Sequence, residues 1–311
     1  MKLSIIVPCY NEEEVLPLFY AEICRTAEEL PEVTWEFDFV DDGSKDGTVT
    51  LLREYAKGDS RVRFTSFSRN FGKEAGMLAG LRMATGDYVA TMDADLQHPP
   101  KLLLEMYQKL ESGECDCVTA RRTDRKGDKK ISTFFARMFY KLMNRLSDTH
   151  FVDGAGDYRM MRRAMSDAVL SMSEYNRFSK GIFEWVGFQN QLLPYENVSR
   201  AAGETKWSFW KLLKYSLDGI TAFSTAPLML SSILGVVSCC VAFLTMLVVV
   251  VKTLLWGDPV AGFPTLIAVM LLVGGLLMLF IGILGQYMAK TYMETKHRPL
   301  YIVRETEKGR E

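Results

Sequence analysis

Residues 88–97 have the sequence YVATMDADLQ, in which a short apolar run ends in two carboxylates two positions apart. Alternate side chains of a strand share one face, so Asp93 and Asp95 would project together, and Gln97 would join them if the extended course continued. Two carboxylates and an amide oxygen are hard ligands that suit Mg²⁺ or Mn²⁺ holding a substrate diphosphate. An isolated Asp-x-Asp pattern is equally typical of a turn or a helix cap. The surrounding segments therefore decide whether this is a metal site.

The chain before this stretch alternates between strand patterns and helix patterns. Short β-branched or aromatic runs predict strands, and turn residues and a helical segment follow them. In chain order we expect a strand at 3–9, a helix from Glu12 capped by Asn11, a strand around 35–39, a helix at 48–57, a strand at 62–67, a helix at 73–83 and the strand at 88–92. Repeated strand–helix units predict a mostly parallel α/β sheet with helices on both faces.

Ligands of such sheets bind beyond the carboxyl ends of the strands. Four polar clusters fall at that edge, namely Pro8–Glu12, Asp41–Asp42, Ser68–Lys73 and Asp93–Gln97. Four clusters at one edge favour a shared ligand site over unrelated turns. The sequence therefore predicts that these segments meet in space.

Length and charge narrow the class of protein. The 311 residues carry a net charge of −1, with both signs spread along the first two thirds, so nothing in the sequence suggests binding to nucleic acid. The apolar run at residues 3–7 is too short for a signal peptide. Six cysteines occur without paired zinc-ligand spacing, and we expect them to lie in a reducing compartment or within a bilayer.

Two long apolar stretches lie beyond residue 222. Residues 227–251 contain no charged residue, and the second stretch lacks charge from about residue 263 until Lys290. Each exceeds the roughly 20 residues that cross a hydrocarbon core, whereas core helices of soluble proteins rarely stay uncharged all round for so long. We expect two transmembrane helices, at about 227–251 and 264–289, within a membrane segment at 226–290.

Basic residues indicate how this hairpin is oriented. They precede the first stretch and follow the second, at Lys206, Lys211, Lys214, Lys290, Lys296, Arg298 and Arg304. The connecting loop, residues 256–262, has neither Lys nor Arg. Because short loops rich in Lys and Arg stay in the cytoplasm, we expect a multi-pass protein of the inner (cytoplasmic) membrane. The preceding domain and both termini, including a tail at 291–311, would lie in the cytoplasm.

Several segments together resemble one enzyme family. The sequences IIVPCYNEEE (5–14), FVDDGSKDGT (39–48), SRNFGKEAG (68–76) and TMDADLQHPP (91–100) match, in order and spacing, the family 2 glycosyltransferases of the GT-A fold. Later segments extend the match, at 156–159, 180–181, 185–188, Arg200 and 203–207. The whole chain is similar to the polyprenyl-phosphate branch of that family, which includes dolichol-phosphate mannose synthase and bacterial bactoprenol (undecaprenyl-phosphate) glucosyltransferases.

The resemblance implies a fold and a reaction. The fold would be a GT-A nucleotide-sugar-binding domain at 1–200, a juxtamembrane amphipathic segment at 201–225 and the two-helix transmembrane hairpin. The reaction would be a Mg²⁺- or Mn²⁺-dependent, inverting transfer of glucose from UDP-glucose to undecaprenyl phosphate. The lipid-linked sugar would then be moved outward by a flippase, and a second transferase would add it to a cell-surface polymer. A homo-oligomer, such as a tetramer, would also follow from the family.

The resemblance also assigns roles at the sheet edge. The nucleotide would be lined by Pro8, Tyr10, Glu12, Asp41, Lys73 and Asp93. The metal would be held by Asp95 and Gln97, with Asp93. The catalytic residues would be Asp157, Asp95 and Asp93, with Asp157 near the acceptor and proposed as a base. A lipid phosphate has a second pKa near 6 and needs little deprotonation at pH 7, so Asp157 could instead orient the sugar or Arg159, or support the metal site.

Cations would bring the two anionic substrates together. Arg forks suit phosphate oxygens, and the candidates for the phosphate or the acceptor are Arg122, Arg125, Arg159, Arg200 and Lys206. The chain departs from the family pattern at Lys180, Thr205 and Trp207, where Arg, Ser and Tyr are usual. Apolar stripes at helical spacing in 131–146 and 209–220, with basic residues beside them, predict amphipathic helices on an anionic bilayer surface. Packing on the domain or on another subunit is the alternative.

Other functions remain open at this point. The donor could carry a different sugar, as in UDP-N-acetylglucosamine, GDP-mannose or a UDP-aminoarabinose derivative. A processive polysaccharide synthase would share the first four motifs, but this chain has no Gln-x-x-Arg-Trp motif and too few spans. A catalytically silent membrane scaffold that recruits a flippase or a transferase is a further alternative, and the intact acidic motif argues against it.

Overall fold

The computed structural model describes residues 1–123, 144–145, 155–195, 220–256 and 262–310. The predictions for Arg125, Arg200 and Lys206, and those for the amphipathic helices at 131–146 and 209–220, fall mostly or wholly outside these residues. The described strands are β1 (Lys2–Cys9), β2 (Thr34–Asp41), β3 (Val62–Phe67), β4 (Tyr88–Thr91), β5 (Cys117–Arg122), β6 (Ala155–Arg162), β7 (Asn190–Tyr195), β8 (Val303–Thr306) and β9 (Gly309–Arg310). The described helices are α1 (Leu16–Glu28), α2 (Thr48–Gly58), α3 (Lys73–Met83), α4 (Leu102–Glu111), α5 (Arg163–Ser171), α6 (Ser179–Trp185), α7 (Ala226–Trp256) and α8 (Phe263–Thr295).

All nine strands form one sheet in the order β7-β5-β6-β4-β1-β2-β3-β8-β9. The four strands that alternate with helices are parallel: β1 pairs with β2 and β4, and β2 pairs with β3. The later strand β6 runs antiparallel between β4 and β5. The predicted α/β sheet is therefore confirmed, with an antiparallel insertion that the strand–helix alternation did not indicate.

Side chains of β1 alternate between two apolar layers, which explains why helices cover both faces. Leu3, Ile5 and Val7 join the layer formed with α1, α2 and α4, while Ile6 lies in the layer formed with α3, α5 and α6. Alternation of side chains along a strand makes both faces apolar when every position is hydrophobic, as expected for a parallel sheet.

The helix predicted to begin at Glu12 instead begins at Leu16. Pro17 lies in its first turn, a position where the missing N–H of proline costs nothing. Asn11 does not cap this helix: its φ is 53°, and its side-chain oxygen accepts a hydrogen bond from the Lys45 N–H at 2.9 Å. Asn11 therefore stabilises the turn after β2 instead of capping α1. Local helix propensity gives no sign of this contact.

The segment predicted as a C-terminal tail adds two strands to the sheet. After α8 the chain returns to the sheet, where β8 pairs antiparallel with β3 and β9 pairs with β8. The Arg53 guanidinium binds both carboxylate oxygens of Glu305, at 2.5 and 2.7 Å. Tyr301 stacks on Phe67 with ring centroids 4.8 Å apart.

Helices α7 and α8 are long and apolar enough to cross a membrane, and their candidate spans are Ala226–Thr245 and Leu272–Thr295. None of these spans is buried inside the protein, and most of their described apolar side chains are exposed. The Tyr287 hydroxyl donates to the Ser224 carbonyl at 2.7 Å, so the end of α8 lies beside the start of α7. The two helices therefore form an antiparallel hairpin at this end.

Candidate active site

The carboxyl ends of β1, β2, β3 and β4 bring the four predicted polar clusters to one edge of the sheet. The registers Cys9↔Asp41 and Asp41↔Ser66 align the ends of β1, β2 and β3, and β4 ends beside β1. The prediction that these segments meet is confirmed. The loops that follow the strands carry the candidate ligand-binding residues.

An ion cluster occupies this edge. The Lys73 ammonium lies 2.7 Å from a carboxylate oxygen of Asp93 and 2.7 Å from one of Asp157. Lys73 is the first residue of α3, and Asp93 follows β4. Asp157 comes from β6, whose antiparallel pairing with β4 carries it to the same place. The Thr91 hydroxyl fixes this pairing further, because it donates to the Asp157 carbonyl.

The electrostatics of the cluster favour the charged forms of Lys73 and Asp157, because they raise the pKa of the ammonium and lower that of the carboxyl. Burial alone would raise the pKa of the Asp157 carboxyl, but the positive charges of Lys73, Lys180 and Arg159 outweigh it and hold that pKa well below its usual range. Burial likewise opposes the charge on Lys73, yet Asp157 and Asp93 raise the pKa of its ammonium. A carboxylate in this environment is a weak base.

The chain turns after β4, so the condition under which Gln97 would share a strand face with Asp93 and Asp95 is not met. Leu96 has a φ of 56°, and Asp95 accepts a hydrogen bond from the Gln97 N–H at 3.1 Å, closing a tight turn. Such an Asp-based turn is the local alternative that the pattern allowed. Asp95 and Gln97 therefore lie in a turn rather than on one face of a strand.

The oxygen donors at this turn fit a divalent cation that also binds a diphosphate. Among the described residues no three His, Cys, Asp or Glu side chains form a complete metal cage. Mg²⁺ commonly uses one or two carboxylates and takes its remaining ligands from phosphates and water. Asp93 and Asp95 would supply the carboxylates, and oxygen donors of this kind suit a hard cation rather than a thiolate-bound one.

Asp41 and Asp42 organise the loops at the mouth of the site. Asp41 is fully buried and accepts hydrogen bonds from the Ser44 N–H at 3.1 Å and the Ser66 hydroxyl at 2.7 Å. Asp42 accepts the N–H groups of Phe71 and Gly72, at 2.6 and 2.9 Å, and burial raises its pKa to about 6. Asp42 thus holds the loop that leads into Lys73. The nucleotide-binding role of Asp41 stays a prediction.

The remaining nucleotide candidates lie at the same edge. Pro8 is the penultimate residue of β1, beside Gly76 of α3, where an added Cβ would meet the proline Cβ at 3.4 Å. Tyr10 is partly exposed just beyond the strand. The Glu12 N–H donates to the Thr48 hydroxyl at 3.0 Å, which ties this segment to the start of α2. The structure thus brings the three residues to the predicted edge, and their contacts with a nucleotide stay predictions.

Arg159 does not point at an acceptor phosphate in this structure. Its side chain is buried, with its guanidinium 4.0 Å from the Phe183 ring centroid and a hydrogen bond to the Gly156 carbonyl at 3.1 Å. It acts on the site through its charge, which lowers the pKa of Asp157. Arg122, at the end of β5, is partly buried and lies across from Tyr195, and its role in phosphate binding stays a prediction.

The sequence analysis missed two partners of the ion cluster. Glu74, next to Lys73, accepts hydrogen bonds from the backbone N–H of Ser179 at 2.9 Å and from its hydroxyl. Lys180, the following residue, contributes the positive charge felt by Asp157. The sequence offered a signal for Lys180, because this residue departs from the family pattern. It offered none for Glu74, because an acidic residue in the first turn of a helix is common.

Comparison with known sequences agrees with this arrangement. Residues 4–170 match the profile described as Glycosyl transferase family 2, and this stretch contains the whole edge described above except Ser179 and Lys180. The chain belongs to glycosyl transferase family 2. The predicted GT-A fold class and glycosyltransferase activity class are thereby confirmed.

Full-length relatives exist among curated proteins. The chain is 41% identical over 308 residues to a prophage bactoprenol glucosyl transferase homolog of Escherichia coli strain K12, covering 99% of this chain and 100% of that protein. It is 40% identical over 304 residues to the bactoprenol glucosyl transferase of Shigella phage SfV, covering 98% of each. An uncharacterized glycosyltransferase of Bacillus subtilis strain 168 is 40% identical over 306 residues, covering 98% of this chain and 94% of that protein.

Proposed function

We propose that this protein transfers glucose from UDP-glucose to undecaprenyl phosphate, giving a lipid-phosphate-linked sugar. The observation that carries the proposal is the ion cluster of Lys73, Asp93 and Asp157 at the ligand-binding edge, in a chain similar over its full length to proteins named bactoprenol glucosyl transferase. The exposed apolar hairpin beside that domain suits an acceptor dissolved in a membrane.

The chemistry requires one bond to form as another breaks. An oxygen of the acceptor phosphate attacks the anomeric carbon of the sugar, and the bond from that carbon to the nucleoside diphosphate breaks with inversion. Asp93, Asp95 and Gln97 would hold Mg²⁺ or Mn²⁺, which supplies positive charge to the departing diphosphate. Lys73 is positioned to add a second positive charge beside it.

Asp157 serves this reaction by orientation. The acceptor phosphate is already mostly dianionic at pH 7, and the depressed pKa of Asp157 makes it a poor proton acceptor. Its ion pair with Lys73 fixes the ammonium at this edge, where it would face the diphosphate, with the carboxylate beside the sugar. We therefore assign Asp157 a positioning role rather than that of the base.

The membrane arrangement follows from the hairpin. The sheet contains β1 and also β8, so the chain enters and leaves the hairpin on the side of the catalytic domain. Two crossings of the inner membrane would return the chain to the side on which it started. The basic residues beyond the second span favour the cytoplasm for the side that holds the catalytic domain. A flippase would then move the product outward, where a further transferase would use it. A homo-oligomer of the enzyme is compatible with this arrangement.

Product formation by the purified full-length protein in detergent tests the proposal. Undecaprenyl phosphate, Mg²⁺ or Mn²⁺ and a panel of labelled UDP- and GDP-sugars would be supplied, and we expect metal-dependent transfer of glucose alone. Transfer of another sugar from the panel would instead identify one of the alternative donors.

Asp95→Asn should lower the transfer rate by about 10²–10³-fold, because the variant loses a charged ligand to the ion that stabilises the leaving group. The matched control is Asp167→Asn, at an exposed position of α5, which should leave the rate unchanged. Full activity of Asp95→Asn in the presence of a chelator would contradict the proposed metal role. Absence of both transfer and nucleotide-sugar binding would favour the scaffold alternative.

A further inference from the structure

The short helix α6, Ser179–Trp185, lies between the catalytic edge and the membrane hairpin. On the catalytic side, Ser179 donates its N–H and hydroxyl to Glu74, which is adjacent in the chain to Lys73. Glu74 is buried enough that burial raises its pKa, although the two hydrogen bonds oppose this shift. The first residue of α6 is therefore tied to the residue beside the ion cluster.

On the other side, α6 packs against the chain as it approaches the membrane. A Cβ added to Gly181 would lie 2.4 Å from Cε2 and 2.5 Å from Cζ of the Phe223 ring. These distances are well inside van der Waals contact, so a side chain at position 181 would displace the Phe223 ring from its present place. Phe178 adds a second ring contact, with centroids 6.0 Å apart. Phe223 precedes α7 by three residues.

The base of the hairpin is tied together at the same place. Tyr287 of α8 donates to the Ser224 carbonyl at 2.7 Å, and Lys290 of α8 contacts the Thr221 hydroxyl. Glu294, in the last turn of α8, accepts the Tyr175 N–H at 2.9 Å. Both membrane helices are thus connected to the segment that carries α6.

We propose that α6 sets the position of the catalytic edge relative to the bilayer, and that Gly181 is the positioning residue through which it does so. This inference rests on the proposed function, because it concerns how the phosphate of a membrane-embedded acceptor reaches the ion cluster. The lipid tail restricts the depth of that phosphate, whereas a soluble acceptor diffuses freely to the site. A misplacement of about 1 Å at a reacting centre can cost on the order of 100-fold in rate. The contact between Gly181 and Phe223 therefore matters for the lipid acceptor and little for a soluble one.

The test uses the full chain in lipid nanodiscs and compares two acceptors. One is undecaprenyl phosphate in the bilayer, and the other is a short, water-soluble prenyl phosphate of two isoprene units. For Gly181→Ala we expect kcat/KM for the bilayer acceptor to fall by about tenfold or more, with kcat/KM for the soluble acceptor and KM for the donor near their original values. Unchanged donor binding also shows that the catalytic domain has folded.

Two further variants complete the design. Gly58→Ala, at the end of α2, adds a methyl group where no atom lies within 4 Å and should behave like the unaltered protein. Phe223→Leu in the Gly181→Ala background removes the two closest ring atoms and should restore much of the activity toward the bilayer acceptor.

The outcomes separate this inference from the proposed function. Equal loss toward both acceptors, full activity toward both, or no recovery in the double variant would overturn the positioning role. If the unaltered protein transferred sugar to neither acceptor, the proposed function would fail and this inference with it.

Discussion

A single ammonium holds two acids together at the catalytic edge. Asp93 and Asp157 would repel each other as carboxylates, and a shared cation removes that repulsion. Lys73 meets both at 2.7 Å while two-fifths of its side chain stays exposed.

A second charged group lies far from this edge and makes stability depend on pH. Asp38 of β2 is fully buried, receives two guanidinium N–H groups of Arg63 on one oxygen, and lies beside Glu36. Burial raises the pKa of Asp38 to about 7; Arg63 opposes this shift and Glu36 adds to it. Because the folded state binds this proton more tightly than the unfolded chain, the stabilisation is fully present below about pH 4 and is lost as the pH rises through about 7.

Asp38→Asn should remove this dependence. The amide keeps an oxygen for Arg63 and offers an N–H toward Glu36, in place of the O–H of the protonated acid, but it does not titrate. We subtract the Tm of the unaltered protein from that of the variant at each pH. This difference should be several degrees more positive at pH 8 than at pH 5, because only the unaltered protein loses stabilisation over that range. Thermal unfolding in detergent at both pH values measures this, with Asp167→Asn as the control. An equal Tm difference at the two pH values would contradict the assignment.

At the scale of elements, the C-terminal strand closes an edge of the sheet beside the catalytic loops. The Ser68 N–H donates to the Ile302 carbonyl at 2.9 Å, so the segment before β8 touches the start of the loop that leads to Lys73. Tyr301 is held between the Phe67 ring and the Arg82 guanidinium, which lies 5.5 Å from its centroid. An exposed sheet edge can pair with other chains. Strand β8 pairs with β3 and so covers the edge that β3 would otherwise expose.

Tyr301→Ala should loosen this strand. Loss of the ring contacts is expected to cost about 1–2 kcal/mol of local stability, which corresponds to roughly a tenfold higher population of the open form. Limited trypsin digestion of the native protein, followed by mass spectrometry, should then show faster cleavage after Lys296 or Arg304.

Tyr301→Phe is the matched control, because it keeps the stacked ring and loses only the hydroxyl. It should digest at close to the original rate. Identical digestion of the alanine variant and the unaltered protein would show that the ring does not hold the strand.

At the scale of the whole molecule, the sheet constrains the membrane topology. Because β1 and β8 belong to one sheet, the segments on either side of the hairpin lie on the same side of any membrane that it crosses. The proposed orientation puts that side in the cytoplasm and the turn between α7 and α8 outside.

Cysteine labelling with a charged, membrane-impermeant maleimide tests this orientation. In a background with Cys24, Cys239 and Cys240 replaced by serine, Asp258→Cys lies between the two membrane helices and Glu307→Cys lies between β8 and β9. In spheroplasts we expect only Asp258→Cys to react, and Glu307→Cys to react once the membrane is permeabilised. The cysteine-replaced parent is the control, and the reverse pattern would contradict the orientation.

The sequence by itself determined those features that repeat locally. Hydrophobic periodicity located α2, α3 and β3 to within one residue, and the uncharged stretches located the two long apolar helices, because period and length depend only on neighbours in the chain. The position of the catalytic edge also followed, since the carboxyl ends of parallel strands must share one side of the sheet.

Only the tertiary structure decided which groups meet across long separations. Arg53 pairs with Glu305, 252 positions away, and Glu74 binds Ser179, 105 positions away. The burial of Arg159 and the fit of Gly181 against Phe223 likewise depend on how separate elements pack. A local pattern records the period of a segment but not the partner of a side chain, because partners are selected by packing and by the need to pair buried charges.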